Sequence, residues 1–190
     1  MKPSRSSSKS AKGFGASRRS DRSGQGGRSP QNSPDLAPSL APYVRTLPQV
    51  IDAMLELGQV TAADCVYDLG CGDGRMLLTA AQQRGVGGLG VDIDPERIQE
   101  ANAAARELGL SPQIRFQQQD LLSLDLSPAT VVMFYLLPQS NLRLRQKLQT
   151  ELAPGSRILT HSFDMGDWPP TRTAQVSDVI NTYNIYLWQV

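Results

Sequence analysis

The chain has 190 residues, with 19 Lys or Arg against 18 Asp or Glu, and that length holds one domain plus a tail. The near balance of charge hides a split: residues 1–34 carry eight basic residues and one acid, Asp21, which leaves 11 basic against 17 acidic residues in the remainder. Two cysteines form no disulfide framework or metal-ligand set, no apolar run reaches the ~18 residues of a membrane span, and no apolar core marks a secretory signal, so a disulfide-stapled, metal-clustered or membrane-spanning protein is excluded and a reducing, cytoplasmic setting is expected.

Residues 1–36 are rich in Ser, Gly, Arg and Pro, and Leu, Ile and Val are absent before Leu36. Such a segment buries too little apolar surface to offset chain entropy and is expected to be disordered. Its charge makes it a candidate for weak contact with nucleic acid or an acidic partner. Residues 37–190 are expected to form the folded domain.

The apolar pattern of Pro48 to Leu57 predicts a helix stopped by Gly58. Asp64 to Leu69 is the first expected strand and Gly74 to Arg84 the next helix, ended by Gly85. Gly88 to Ile93 follows as a strand. Asp94 is placed to cap a helix whose first residue is Pro95 and whose apolar face carries Ile98, Ala101, Ala105 and Leu108. Pro112 to Gln118 and Ala129 to Leu137 read as strands, Gln139 to Leu152 as a helix and Ser156 to Phe163 as a strand. Thr173 to Val179 and Thr182 to Val190 close the chain as an antiparallel pair with Asn181 in the turn. This alternation predicts an α/β fold with a doubly wound, mostly parallel seven-stranded sheet, whose ligand lies past the carboxyl ends of the strands.

One stretch separates the ligand classes such a sheet serves. Val66-Tyr67-Asp68-Leu69-Gly70-Cys71-Gly72-Asp73-Gly74-Arg75 reads as strand, glycine-rich turn and helix start, with two carboxylates built in. A turn that cradles a pyrophosphate needs bare N–H groups, and a carboxylate there repels phosphate. The third glycine of G-x-G-x-x-G is also replaced, by Arg75. A cationic sulfonium, an amino group and ribose hydroxyls are compatible with acids. The turn therefore points to S-adenosyl-L-methionine.

Each strand end supplies a candidate. Asp68, with Gly70, Gly72 and Gly74, is expected to hold the methionine part of the donor. Asp92 stands where ribose hydroxyls can be received, while the neighbouring Asp94 is accounted for by capping. Asp120 is placed to accept from the adenine amine, with Leu121 or Leu122 against the base. Phe134 and Tyr135 leave the fourth strand where the methyl group emerges, and an aromatic wall there suits a neutral amine. His161, the single histidine, is the candidate proton acceptor.

Together these residues resemble the class I S-adenosylmethionine-dependent methyltransferases. Pro42-Tyr43-Val44-Arg45-Thr46, Val66 to Arg75, Ala129-Thr130-Val131-Val132, Pro154-Gly155-Ser156-Arg157, His161-Ser162-Phe163 and Trp168-x-Pro170 narrow the resemblance. They are similar to the compact archaeal broad-specificity protein-lysine methyltransferases and their mitochondrial relatives. The resemblance covers residues 41–190. It implies that a Pro-Tyr-Val-Pro-Thr-Pro-like segment folds over the donor, which brings in Tyr43 and Thr46; Arg45 and Leu47 stand here in place of two prolines. It also implies a lysine-bearing protein substrate. With no long insertion after the nucleotide-binding strands to form a lid, the site is expected to be open, and displacement at a sulfonium methyl requires no metal. Transfer to RNA or a small molecule, and donor binding without turnover, are the alternative readings.

Overall fold

A computed structural model describes residues 41–190. The tail expected over residues 1–36 lies outside the described residues.

Seven strands form one sheet in the order β3-β2-β1-β4-β5-β7-β6: β1 (Cys65–Leu69), β2 (Gly87–Asp92), β3 (Ile114–Gln118), β4 (Val131–Phe134), β5 (Arg157–His161), β6 (Arg172–Ser177) and β7 (Thr182–Gln189). β1 to β5 pair in parallel, and β7 runs antiparallel between β5 and β6. The expected mostly parallel, seven-stranded sheet is thus the one observed.

Pleating divides the core in two. Val66, Ile114, Phe116, Met133, Leu159 and Ile185 face α1 (Pro48–Leu57), α2 (Arg75–Arg84) and α3 (Pro95–Glu107). Tyr67, Leu89, Val91, Phe134, Ile158 and Trp188 face the other way, toward α4 (Pro138–Glu151). No helix follows β5. Instead the chain over 162–171 folds as a loop, pinned where Asn141 Nδ2 donates to the Phe163 and Asp164 carbonyls at 3.1 Å each and Trp188 Nε1 donates to the Trp168 carbonyl at 2.9 Å.

Several edges differ from the expected ones for local reasons. β4 ends at Phe134 because Pro138 already starts α4. β5 ends at His161 because Ser162 takes a left-handed φ of 67° and Phe163 N–H turns back to the His161 carbonyl. β3 starts at Ile114, since the N–H groups of Gln113 and Ile114 both close a turn onto the Leu110 carbonyl.

Candidate active site

The carboxyl ends of β1, β2 and β4 open onto a cavity of about 320 Å³. Its walls come from residues 41–46, the β1–α2 turn, Asp92 to Asp94, Arg97, Asp120 with Leu121, and Tyr135 with Leu136.

The turn keeps its shape through its own backbone. Gly70 and Cys71 N–H both donate to the Val91 carbonyl, at 2.8 and 3.0 Å, and Gly74 N–H donates to the Cys71 carbonyl at 2.9 Å. Gly70, Gly72 and Gly74 all have positive φ. At Gly72 the reason is also spatial: a Cβ there would stand 2.5 Å from the Tyr43 ring. Tyr43 thus lies directly over the turn, with the Arg97 guanidinium 4.9 Å from its ring centre. Thr46 is buried and also lines the cavity.

Asp92 is held by two backbone donors, Gly72 N–H at 2.9 Å to one oxygen and Asp94 N–H at 3.0 Å to the other. Each oxygen keeps a free lone pair, and the residue forms part of the cavity wall. Asp94 does cap α3, accepting from Glu96 N–H at 2.8 Å. Asp120 caps the short 3-10 turn Leu121–Ser123 through Leu122 N–H at 3.0 Å, and it too lines the cavity, beside Leu121.

Four expected residues stand elsewhere. Gly74 serves as the N-cap of α2 and is not on the wall. Phe134 is fully buried in the core that faces α4. His161 is 2% exposed and also stands off the wall, and neither ring nitrogen has a hydrogen-bond partner among the described residues. Burial lowers its pKa to about 4, so the ring is neutral at physiological pH. Its contact with the cavity is indirect: the Tyr135 ring, which does line the wall, packs on it at 3.9 Å between centres.

Asp68 is the fourth. Its expected position facing the ligand is corrected: the carboxyl is 0% exposed, under α2 and off the cavity wall. The pleat explains this, because Asp68 points to the α2 side, as Val66 does. Neither oxygen has a partner of ordinary hydrogen-bond geometry among the described residues. Burial pushes its pKa up to about 8, with the charges of Asp92 and Asp73 adding to the rise and the Leu77 N–H opposing it. A folded-state pKa above the unfolded value gives stability that is whole below about pH 4 and lost as pH rises through about 8. Denaturant titrations across that range are expected to show wild type losing stability relative to Asp68→Asn as pH increases. A constant difference would contradict the buried, protonated carboxyl.

Sequence reasoning singled out neither Asp73 nor Arg75 as a site residue. They form an ion pair at 2.5 Å, and Arg75 reaches the Thr46 carbonyl at 3.5 Å, tying the 41–47 segment to the turn. Burial raises the Asp73 carboxyl, but Arg75 and the Tyr43 hydroxyl outweigh it and hold it below the usual carboxylate value. The signal was present as an acid and a base two positions apart in a turn.

The walls fit a sulfonium nucleoside. Carboxylates stand at the β2 and β3 ends, Leu121 offers an apolar face, and the Tyr43 ring closes over Gly72 of the turn. No cluster of His, Cys, Asp or Glu able to hold a metal occurs among the described residues.

Comparisons agree with this geometry. Residues 68–172 match the family model of the ANTKMT methyltransferase domain. A protein-lysine N-methyltransferase of Saccharolobus islandicus is 39% identical over 150 residues, 78% of this chain and 93% of its own length. An adenine nucleotide translocase lysine N-methyltransferase of Mus musculus is 28% identical over 146 residues, 76% of this chain and 63% of its own. The crystal structure of an RNA methyltransferase from Salinibacter ruber, in complex with S-adenosyl-L-homocysteine, superposes with a TM-score of 0.72 at 43% identity, over 77% of this chain and 93% of that one. The fold, the carboxylates of the cavity wall and these matches place the chain in the ANTKMT methyltransferase domain family, as an S-adenosylmethionine-dependent methyltransferase.

Proposed function

We propose that the protein transfers the methyl group to the ε-amine of lysine side chains in protein substrates. The observation that carries this reading is the wall beyond β4. Tyr135 lines it, backed by a His161 ring that burial keeps uncharged. A lysine amine has a pKa near ~10.4 in water, and a less polar, aromatic wall favours its neutral, nucleophilic form. When bound, S-adenosylmethionine supplies a methyl group already activated by the sulfonium. The chain's own part is alignment: Tyr43 and Thr46 cover one side, Asp92 receives the ribose hydroxyls, Asp120 and Leu121 receive the adenine, and Tyr135 orients the acceptor.

The named activity of the Salinibacter ruber neighbour raises RNA as a second acceptor. The cavity's arginines argue against it. Arg75 pairs with Asp73 and Arg97 with Glu100 at 2.6 Å, so two of the three charges are met within the protein. Phosphate recognition needs basic groups free to release counterions. Tritiated methyl transfer into a cell lysate separates the readings. Label that protease digestion releases and ribonuclease leaves intact is expected; label lost to ribonuclease alone would refute the proposal.

The cytoplasmic setting belongs to the same reading and is supported by two free cysteines, Cys65 and Cys71. No helix of the described residues is long and apolar enough to cross a membrane.

The wall makes its own prediction. Tyr135→Ala is expected to cut kcat by about tenfold or more with little change in donor affinity, as loss of a positioning contact does. Tyr135→Phe keeps the ring and should stay within about threefold of wild type, a difference too small to signal a lost transition-state contact. A collapse of the Phe variant equal to that of Ala would assign the role to the hydroxyl instead.

A further inference from the structure

S-adenosylmethionine ends in an amino acid, so the cavity has a carboxylate and an ammonium to meet besides the nucleoside. In the proposed donor placement adenine lies at Asp120 and ribose at Asp92, beyond the ends of β3 and β2. β1 is the next strand across the sheet, and β4, which leads to Tyr135, is the one after. Neighbouring strands stand about 4.8 Å apart, so a donor lying across their ends brings its amino acid to the β1–α2 turn.

Backbone in that turn has little left to offer a carboxylate. Of the six N–H groups from Gly70 to Arg75, five are spent: Gly70 and Cys71 on the Val91 carbonyl, Gly72 on Asp92, Gly74 on the Cys71 carbonyl, and Arg75 on Asp73 at 3.3 Å. The counter-charge therefore has to come from a side chain. Arg75 stands in the turn itself, lines the cavity, and keeps 30% of its side chain exposed. Asp73 occupies one edge of the guanidinium, accepting from Nε and from one terminal nitrogen. The other terminal nitrogen reaches the Thr46 carbonyl at 3.5 Å, the limit of a hydrogen bond. A guanidinium carries five donors in a planar fork, and pairing along one edge leaves an outer edge with a donor on each terminal nitrogen.

The acids of the wall sort in the same way. Asp68 is buried and off the wall, and Asp94 is engaged in capping α3. Asp73 lines the cavity. Burial raises its carboxyl, but Arg75 and the Tyr43 hydroxyl outweigh that and keep it ionised.

We propose that the Asp73–Arg75 pair is the receptor for the donor's amino-acid end, with Arg75 taking the carboxylate on its outer edge and Asp73 taking the ammonium. A pair that is neutral as a whole meets a zwitterion that is neutral as a whole, so each charge finds its opposite. A phosphate brings no cation for Asp73 and meets its repulsion instead. Arg75 then joins the donor to the 41–47 segment, since the same guanidinium reaches Thr46. The inference rests on the donor placement and not on which group accepts the methyl.

The test is calorimetry on the full chain with three ligands and no acceptor. S-adenosylhomocysteine carries the whole amino-acid end, its decarboxylated form keeps the amine alone, and methylthioadenosine has neither group. Wild type is expected to bind S-adenosylhomocysteine at least about tenfold more tightly than the decarboxylated form and about a hundredfold more tightly than methylthioadenosine. Arg75→Met keeps the apolar stem and removes the fork. It should weaken S-adenosylhomocysteine at least about tenfold more than it weakens methylthioadenosine. Asp73→Asn should weaken the decarboxylated form while largely sparing methylthioadenosine. Arg75→Lys keeps the charge without the fork, should fall between wild type and Arg75→Met, and carries the test if the Met variant does not melt cooperatively. Equal losses of all three ligands in the Arg75 variants would show that Arg75 merely holds the 41–47 segment, and would overturn the proposal. A wild type that does not distinguish S-adenosylhomocysteine from methylthioadenosine would overturn it too. Selective loss in Arg75→Met beside unchanged binding of every ligand by Asp92→Ala would keep the pair and refute the ribose placement.

Discussion

Replacing Asp92 with alanine is expected to weaken S-adenosylhomocysteine binding by about a hundredfold or more, and to abolish methyl transfer at ordinary donor concentrations. The magnitude follows from the proposed role. Hydrogen bonds to a charged acceptor are worth about 1.5–3 kcal/mol each, and two ribose hydroxyls would be released at once. Asp92 also receives Gly72 N–H and Asp94 N–H, so the change loosens the glycine turn as well. Asp92→Asn separates the two effects. Its amide oxygen keeps one acceptor in the same shape, and its affinity should fall between wild type and the alanine variant. Calorimetry alongside a melting curve checks both. Unchanged affinity in a folded Asp92→Ala protein would remove Asp92 from the binding site.

The largest stability effect is expected at Gly88. A Cβ there would be driven into the carbonyl oxygen of Val66, on the adjacent central strand β1, with the Leu77 side chain 3.1 Å away on another side. Backbone of two hydrogen-bonded strands cannot give way as a side-chain end can, so Gly88→Ala should cost about 3 kcal/mol or more. In a domain of this size that lowers the melting temperature by roughly 6–12 °C. Gly109 provides the contrast. It has a φ of 70° but nothing within 4 Å of an added Cβ, so Gly109→Ala should cost only the conformational strain, about 1 kcal/mol. Equal melting temperatures for the two variants would show that the strands can separate at Gly88 without cost.

Periodicity and turn chemistry made most of this architecture legible. Pro48 at the first helical position and Gly58 after the last gave α1 its observed bounds, and Asp94 followed by Pro95 marked the start of α3. Those signals are local, so a linear reading captures them. The ends of β4 and β5 were not legible, since an apolar run cannot reveal where Ser162 takes a left-handed conformation. The strand-end rule placed Asp92, Asp120 and Tyr135 on the cavity wall because a parallel sheet gathers its carboxyl ends at one edge.

The same rule misjudged which way side chains face. Asp68 and Phe134 are at strand ends, yet the pleat turns Asp68 under α2 and Phe134 toward α4. The placement of the Tyr43 ring over Gly72 and the reach of Arg75 to the Thr46 carbonyl depend on contacts across about thirty positions of sequence. No pattern in a single sequence encodes those. Arg75 was read as a missing glycine, whereas its guanidinium clamps the segment that covers the site.

The central claim is that a wall carrying the Asp92 and Asp120 carboxylates accepts a sulfur nucleoside rather than a phosphorylated one. Calorimetric titration of the full chain with S-adenosylmethionine, S-adenosylhomocysteine and NADH tests it most directly. Both sulfur nucleosides are expected to bind one equivalent, and NADH to give no saturable heat. Saturable NADH binding with no response to either sulfur nucleoside would contradict the account.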